Sequence, residues 1–171
     1  MPALPSWDLF ITLFLVASVA YGFMIQRERV LVTLLAIYVG VVITQLLADP
    51  VAAFFAGDKT IAGSFFIRSS ASPFTIHTAL FMGSVALITL KSGLSGNRES
   101  GSLSMLEIMS YAVLNAALVV TVLIGFLDPT AQQAFLAASK NAAFIFTHRF
   151  WWFMAPIALM IITGHNRRSE Y

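Results

Sequence analysis

Histidine, amide and basic side chains are the few groups in this sequence that need a partner or could hold a ligand. His77 and His148 lie near the starts of two different apolar stretches, at a similar predicted depth. Two imidazoles on different helices are the minimum for bis-imidazole ligation of a haem iron. A two-haem relay would need a second pair, and the sequence has three histidines in all. We therefore interpret the matching depth as coincidence, and the sequence predicts no cofactor.

Two amides lie within apolar stretches, Asn115 near the middle of the fourth and Gln45 in the outer part of the second. An unsatisfied amide is costly in hydrocarbon, so both need hydrogen-bond partners. We favour bonds between helices; the alternative is the lining of a pore or polar cavity. Glu107 reads as part of a capping box with Ser104, rather than as an intramembrane carboxylate.

A basic and aromatic run, His148-Arg149 followed by Phe150, Trp151, Trp152 and Phe153, opens the last apolar stretch. Arg149 can extend to the lipid headgroups while the tryptophans form an interfacial belt. The alternative is an anion or lipid-headgroup site in which Arg149, Trp151 and Trp152 contact the ligand, with Arg149 as a bidentate fork. Further along, Pro156 predicts a kink.

The composition places these side chains in a membrane. Of the 171 residues 58% are hydrophobic and 11% charged, with a mean hydropathy of +0.84, against roughly 25% charged in an average soluble domain. A net charge of +2 does not indicate a nucleic-acid partner. The absence of cysteine removes disulfides, iron–sulfur clusters and thiolate chemistry.

Five apolar stretches are each near the length of a bilayer-spanning helix. Continuous apolar runs are unlike the alternating pattern of barrel strands, so the spans are predicted to be helical. We therefore expect an all-α, polytopic helix bundle in which residues 1–171 form a single membrane domain. The predicted spans are 9–25, 30–48, 74–91, 105–127 and 146–164, with outer segments at 49–73 and 128–145.

Local signals predict where these helices begin and end. Ser72-Pro73 is an N-cap followed by proline at the first helical position, and Asp49-Pro50 marks the end of the second span. Thr130 to Gln133 reads as a capping box. Residues 131–145 look helical, and one interpretation is that they run directly into the fifth span as a single long helix.

Basic residues predict the orientation. Segments 26–29, 91–104 and 165–171 hold six Lys and Arg, whereas the longer opposite segments 1–8, 49–73 and 128–145 hold three. The positive-inside rule then gives N-out and C-in in the cytoplasmic (inner) membrane. The leading MPALPSWD has no basic residue, so we expect the first span to be a retained anchor rather than a signal peptide.

Small residues one turn apart let membrane helices approach closely. They predict a tight bundle and, equally, a subunit that packs against copies of itself. The pairs and triplets are Ser18 and Gly22; Ala36, Gly40 and Thr44; Ala79 and Gly83; and Ala117, Thr121 and Gly125.

The first two spans carry a family resemblance. Trp7-Asp8 before the first helix, Tyr21-Gly22-Phe23 at its exit, the short basic turn 26–29 and a second helix ending at Ala48-Asp49-Pro50 resemble the start of the colicin V production (CvpA-like) membrane proteins. The resemblance covers residues 7–55; the fourth span lacks that family's glycine-rich pattern, and a fifth span is added. It implies a small multi-span inner-membrane protein linked to secretion or the envelope, and it carries over no catalytic residue.

These observations predict an integral membrane structural or assembly subunit of the cell envelope, acting through helix packing and oligomerisation. Its expected partners are the lipid bilayer and either copies of itself or a larger membrane complex, and we do not expect an enzyme. One alternative is a channel or transporter-like permeation subunit lined by Asn115 and Gln45. Another is a haem- or quinone-binding membrane anchor that uses His77 and His148.

Overall fold

The computed structural model describes residues 6–24, 27–56, 72–92 and 105–168, and all the regular structure within them is helical. This confirms the predicted all-α class. The helices are α1 (Trp7–Met24), α2 (Arg27–Ala56), α3 (Pro73–Lys91), α4 (Met105–Gly125), α5 (Pro129–Ala138), α6 (Lys140–Thr147) and α7 (Arg149–Arg168).

Three of these helices are long and apolar enough to cross a membrane: α2 over Arg29–Phe55, α3 and α4. A fourth crossing results if α6 and α7, which are bent by 60° at a short break, count as one span. The apolar part of α1, Trp7–Gly22, is shorter. The described residues therefore contain three or four candidate spans, which supports a membrane protein.

Helix α4 forms the centre of the bundle. It contacts α1, α2, α6 and α7, while α3 packs chiefly on α2. Leu34, Ile37, Phe81, Tyr111 and Leu118 are fully buried in the main cluster. A second cluster joins Ile11 of α1 and Ile145 of α6 to Val120 and Ile124 of α4. Because lipid is as apolar as these side chains, close van der Waals packing holds the helices together.

Helix α2 continues past Asp49-Pro50 to Ala56, so the prediction that the helix ends there was wrong. A proline has a helical φ and removes only the bond from its own nitrogen to the carbonyl four residues earlier, here Leu46. The apolar sequence VAAFFA follows and keeps the helix going, as membrane helices often do across a proline. Residues 49–56 of the predicted outer segment 49–73 thus belong to α2, and 57–71 lie outside the described residues.

The helix starts agree with the sequence in one case and differ in another. Ser72 caps α3, since its Oγ accepts a hydrogen bond from the Thr75 amide at 3.2 Å, as predicted. At α5 the cap is Asp128, whose Oδ1 accepts from the amides of Thr130 and Ala131 at 3.0 Å each. The capping box predicted at Thr130–Gln133 was therefore wrong, because a carboxylate two residues earlier already takes the free amides. Ser104, of the other predicted box, lies outside the described residues.

Residues 128–168 do not form one long helix, because the chain breaks at Ser139 and at His148. Ser139 has extended backbone angles (φ −138°, ψ 116°), and its Oγ accepts from the Ala142 amide at 3.0 Å. His148 ends α6 and precedes the 60° bend into α7. The interpretation of a single continuous helix was wrong. The predicted fifth span, 146–164, contains the second break near its start.

The small-residue pairs differ in whether their glycine lies at a close contact between two helices. A Cβ added to Gly22 would lie 2.7 Å from the Ala112 Cβ, so α1 and α4 touch at backbone distance there. A Cβ on Gly40 would lie 3.0 Å from Val85 Cγ2, in the contact of α2 with α3. Gly83 and Gly125 have no such neighbour within 4 Å, and both are exposed.

Candidate functional site

Asn115 lies where α4 meets the first turn of α2. Its Nδ2 donates a hydrogen bond to the Val30 carbonyl at 3.0 Å, and the residue is 8% exposed. The predicted need for a partner is met by a backbone carbonyl, which carries no sequence signature. The Oδ1 atom is buried without a hydrogen-bond partner, so half of the amide remains unsatisfied.

Gln45, the second candidate amide, is exposed on α2. Fifteen residues separate it from Val30, or about 22 Å along the helix at 1.5 Å per residue. The structure therefore does not bring Gln45 and Asn115 to one common lining.

A cleft of about 120 Å³ lies beside Asn115. Helix α1 packs on α4 and makes few contacts with α2, although the two are consecutive in the chain. The space left between α1 and α2 has α4 as its floor. Its walls carry Phe14, Ser18, Tyr21 and Gly22 from α1, Val30, Thr33 and Ile37 from α2, and Ala112, Asn115, Ala116 and Val119 from α4.

A hydrogen-bonded cluster that the sequence analysis missed joins the start of α1 to the start of α6. Asp8 Oδ1 accepts from Ser139 Oγ at 2.6 Å and from the Asn141 amide at 2.9 Å. Asn141 Nδ2 also donates to Thr12 Oγ1 at 3.0 Å. The Ser139 hydroxyl, then the Asn141 amide and the nearby Lys140, hold the pKa of Asp8 below its ordinary value. Ser139-Lys140-Asn141 could have been recognised as a helix start, but no local signal indicates a partner 131 residues away.

The two candidate haem ligands are each held locally. His77 Nδ1 donates to the Pro73 carbonyl at 2.7 Å, and its ring lies 5.3 Å from the Phe126 ring. His148 Nδ1 donates to the Phe144 carbonyl at 2.8 Å, and the residue is exposed. Both bonds place the imidazole proton on Nδ1, since a carbonyl only accepts. Within the described ranges the two histidines share no hydrogen bond or ring contact.

The aromatic run at the start of α7 divides into an outer and an inner part. The Arg149 guanidinium lies 5.0 Å from the centre of the Phe146 ring, and both Arg149 and Trp151 are exposed. Trp152 instead turns inward, and its Nε1 donates to the Ile145 carbonyl at 2.8 Å. In a regular helix the Ile145 carbonyl would accept a hydrogen bond from the Arg149 amide, four residues later, but the break at His148 lies between them. Trp152 thus bridges the bend, while Arg149 and Trp151 lie on the exposed side of the helix.

Among the residues that the structure describes, no group of three or more His, Cys, Asp or Glu side chains could hold a metal ion. The comparisons with known proteins also leave the site without a precedent. No protein-family model, no curated protein and no solved structure matches the chain.

Proposed function

We propose that the chain is a five-span protein of the cytoplasmic membrane, N-out and C-in, that serves as a structural or assembly subunit of the cell envelope and is not an enzyme. Helix α1 supplies the fifth crossing: its part beyond Asp8, residues 9–24, extends about 24 Å, somewhat less than the roughly 30 Å hydrocarbon core. The basic turn 26–29 then lies inside. The resemblance of residues 7–55 to CvpA-like proteins supports a role in the envelope.

The observation that carries this proposal is the use of deep polar groups to join helices. Asn115 of α4 bonds to Val30 of α2 at 3.0 Å, and Tyr38 of α2 donates to the Phe153 carbonyl of α7 at 2.6 Å. Tyr111 and Thr163 pair α4 with α7 at 3.3 Å. Hydrogen bonds of this kind between helices stabilise a bundle.

Helix α3 offers the surface for assembly. It is apolar enough to span, yet only 11% of its span is buried inside the chain. Ala79 and Gly83, one turn apart, are both exposed, so a second helix could approach the α3 backbone closely there. This surface supports self-association or docking to another membrane subunit.

Native mass determination in mild detergent and in lipid nanodiscs tests the proposal. We expect the wild-type protein to appear as an oligomer, or with the added mass of a partner subunit. Gly83→Leu should release the monomer, because the added side chain has room within the chain but blocks a helix on the α3 surface.

Gly125→Leu is the matched control, since Gly125 is also exposed and has no neighbour within 4 Å of an added Cβ. It should leave the assembly intact. A wild-type protein that is monomeric in both environments would overturn the proposal. Equal effects of the two substitutions would remove α3 as the assembly surface.

A further inference from the structure

The bend between α6 and α7 lies at one end of the bundle. Tyr111 of α4 pairs with Thr163 of α7 at 3.3 Å. Gly125, the last residue of α4, and Arg149, the first of α7, each lie fourteen residues from this pair, or about 21 Å along their helices. Trp152 also packs in the cluster that contains the end of α4. Arg149 therefore lies at the level where α4 ends, which is the boundary between hydrocarbon and headgroups.

The surface around this bend exposes large aromatic side chains. Phe144 of α6 is 59% exposed, and Phe150 and Trp151 of α7 are 66% and 64% exposed. Exposed apolar groups of this size mark a surface that contacts a partner or a membrane. At a membrane boundary their rings meet the glycerol and upper acyl region, and tryptophan is enriched there. We call this surface, formed by Phe144, Arg149, Phe150 and Trp151, the elbow surface.

The elbow surface carries one guanidinium that is held in place by a ring. Arg149 lies 5.0 Å from the centre of the Phe146 ring. A cation–π contact uses the charge of the guanidinium and none of its five N–H donors. Within the described ranges no acidic side chain pairs with Arg149. Its donors are therefore positioned and available.

The other charges at this end are already balanced. Lys140 acts on the Asp8 carboxylate, whose oxygen also accepts from Ser139 and Asn141. Asp128 accepts from the two amides at the start of α5. Of the Lys and Arg side chains that the described residues place at this end, Arg149 is the one whose charge has no counterpart.

We propose that the elbow surface binds the headgroup of an anionic phospholipid, with the Arg149 guanidinium donating to two phosphate oxygens and Trp151 contacting the lipid beside it. The planar fork of arginine matches two phosphate oxygens. An anionic headgroup balances the Arg149 charge, whereas a zwitterionic headgroup brings an ammonium of its own. This site is independent of the assembly surface on α3, so either proposal can fail without the other.

The test compares two short-chain lipids that differ in headgroup, dioctanoyl-phosphatidylglycerol and dioctanoyl-phosphatidylcholine. Their dissociation constants are measured by native mass spectrometry on the full chain in mild detergent. We define the preference as the ratio of the two constants. The wild-type protein should prefer phosphatidylglycerol, and Arg149→Gln should lower this preference about fivefold, between the effects of an exposed ion pair and of a charge-assisted hydrogen bond. Equal affinity for both lipids in the wild type, or an unchanged preference in Arg149→Gln, would overturn the proposal.

Lys140→Gln is the matched control, because it removes the same charge from an exposed side chain at the same end of the bundle. Its preference should stay within about twofold of the wild type, since Lys140 is balanced by Asp8. Equal losses in the two variants would show that binding follows total charge and would overturn the proposal. Displacement of the lipid by an excess of inorganic phosphate would also overturn it, because the site would then bind a free anion.

Arg149→Lys separates charge from geometry. It keeps the positive charge and removes the planar fork, so it should lower the preference about twofold. Thermal unfolding without added lipid checks that each variant is folded. If Arg149→Gln does not fold, Arg149→Lys decides the outcome, and an unchanged preference in that variant would overturn the proposal.

Discussion

Asp8 stabilises the start of α6 from the far end of the sequence. Its carboxylate takes up the Asn141 amide and the Ser139 hydroxyl, and Ser139 in turn caps α6. A carboxylate at a helix N-terminus is also favoured by the helix dipole. This one side chain therefore holds α1 against α6 and fixes the position of the break at Ser139.

We predict that Asp8→Asn lowers the melting temperature at neutral pH and that the difference shrinks as the pH falls. The folded-state pKa of Asp8 lies below its ordinary value of 3.8. Its contribution is therefore fully present above that value and is lost as the pH falls through the folded pKa, when the wild-type carboxyl also becomes neutral. Thermal unfolding followed by circular dichroism from pH 7 to pH 3 measures this. Asp49→Asn, at an exposed site on α2, is the control, and a pH-independent difference for Asp8→Asn would contradict the prediction.

For individual residues, the sequence indicated which side chains need hydrogen-bond partners, but it did not indicate what those partners are. The hydrocarbon environment alone makes a partner necessary for Asn115, but its partner is the backbone carbonyl of Val30. Asp8 gave no such signal, because a carboxylate near the end of an apolar stretch is expected to be in water. Trp152 reads as part of an interfacial belt by composition, and only the break at His148 explains why it turns inward.

The packing of α1 on α4 depends on one close approach. At Gly22 the two helices are so near that an added methyl group would meet the Ala112 Cβ at 2.7 Å. Neither of the flanking backbones can yield without moving a helix. The position of α1, and with it the cleft beside α2, therefore depends on this contact.

We predict that Gly22→Ala destabilises the protein by about 1–3 kcal/mol, the usual cost of overpacking. The substitution should also increase hydrogen exchange along α1. Gly22→Ala combined with Ala112→Gly should recover most of the loss, because the methyl group is only moved across the contact. Gly83→Ala, with open space around it, serves as the control. A double variant as unstable as Gly22→Ala alone would show that the methyl contact is not the cause.

Among the elements, hydropathy located α2, α3 and α4, since their apolar residues leave no alternative to a helix in lipid. The breaks at Ser139 and His148 were not predicted, because residues 131–145 look helical in composition and the apolar stretch that follows them reads as a continuous span. Ser139 leaves the helix in order to bond with Asp8, a contact between distant parts of the chain. The prediction that α2 ends at Pro50 was wrong for a different reason. It relied on a local rule for proline, whereas the apolar residues beyond Pro50 keep the helix going.

For the whole molecule, the question that decides the architecture is whether α1 crosses the bilayer. If it does, Ser6 before α1 and Ser92 after α3 lie on opposite sides of the membrane; if it does not, they lie on the same side. The chain lacks cysteine, so a single introduced cysteine can report its side without background.

We predict that Ser6→Cys reacts with a membrane-impermeant maleimide added to intact cells and that Ser92→Cys reacts only after permeabilisation. This is the pattern of the five-span, N-out arrangement. Gel-shift labelling of the two variants, each with and without detergent, provides the measurement. Labelling of both sites from the same side would reduce the count to four spans and leave α1 at the inner surface.

The length of α2 has a consequence for the lipid around the protein. Its candidate span, Arg29–Phe55, has 27 residues, or about 40 Å of helix, whereas the hydrocarbon core of a bilayer is about 30 Å thick. This hydrophobic mismatch must be met by tilting α2 strongly or by thickening the bilayer around it. Helix α3, packed along α2, has 19 residues, or about 28 Å of helix, and matches a bilayer of ordinary thickness. Tilting of α2 is therefore the arrangement in which both helices fit the same membrane.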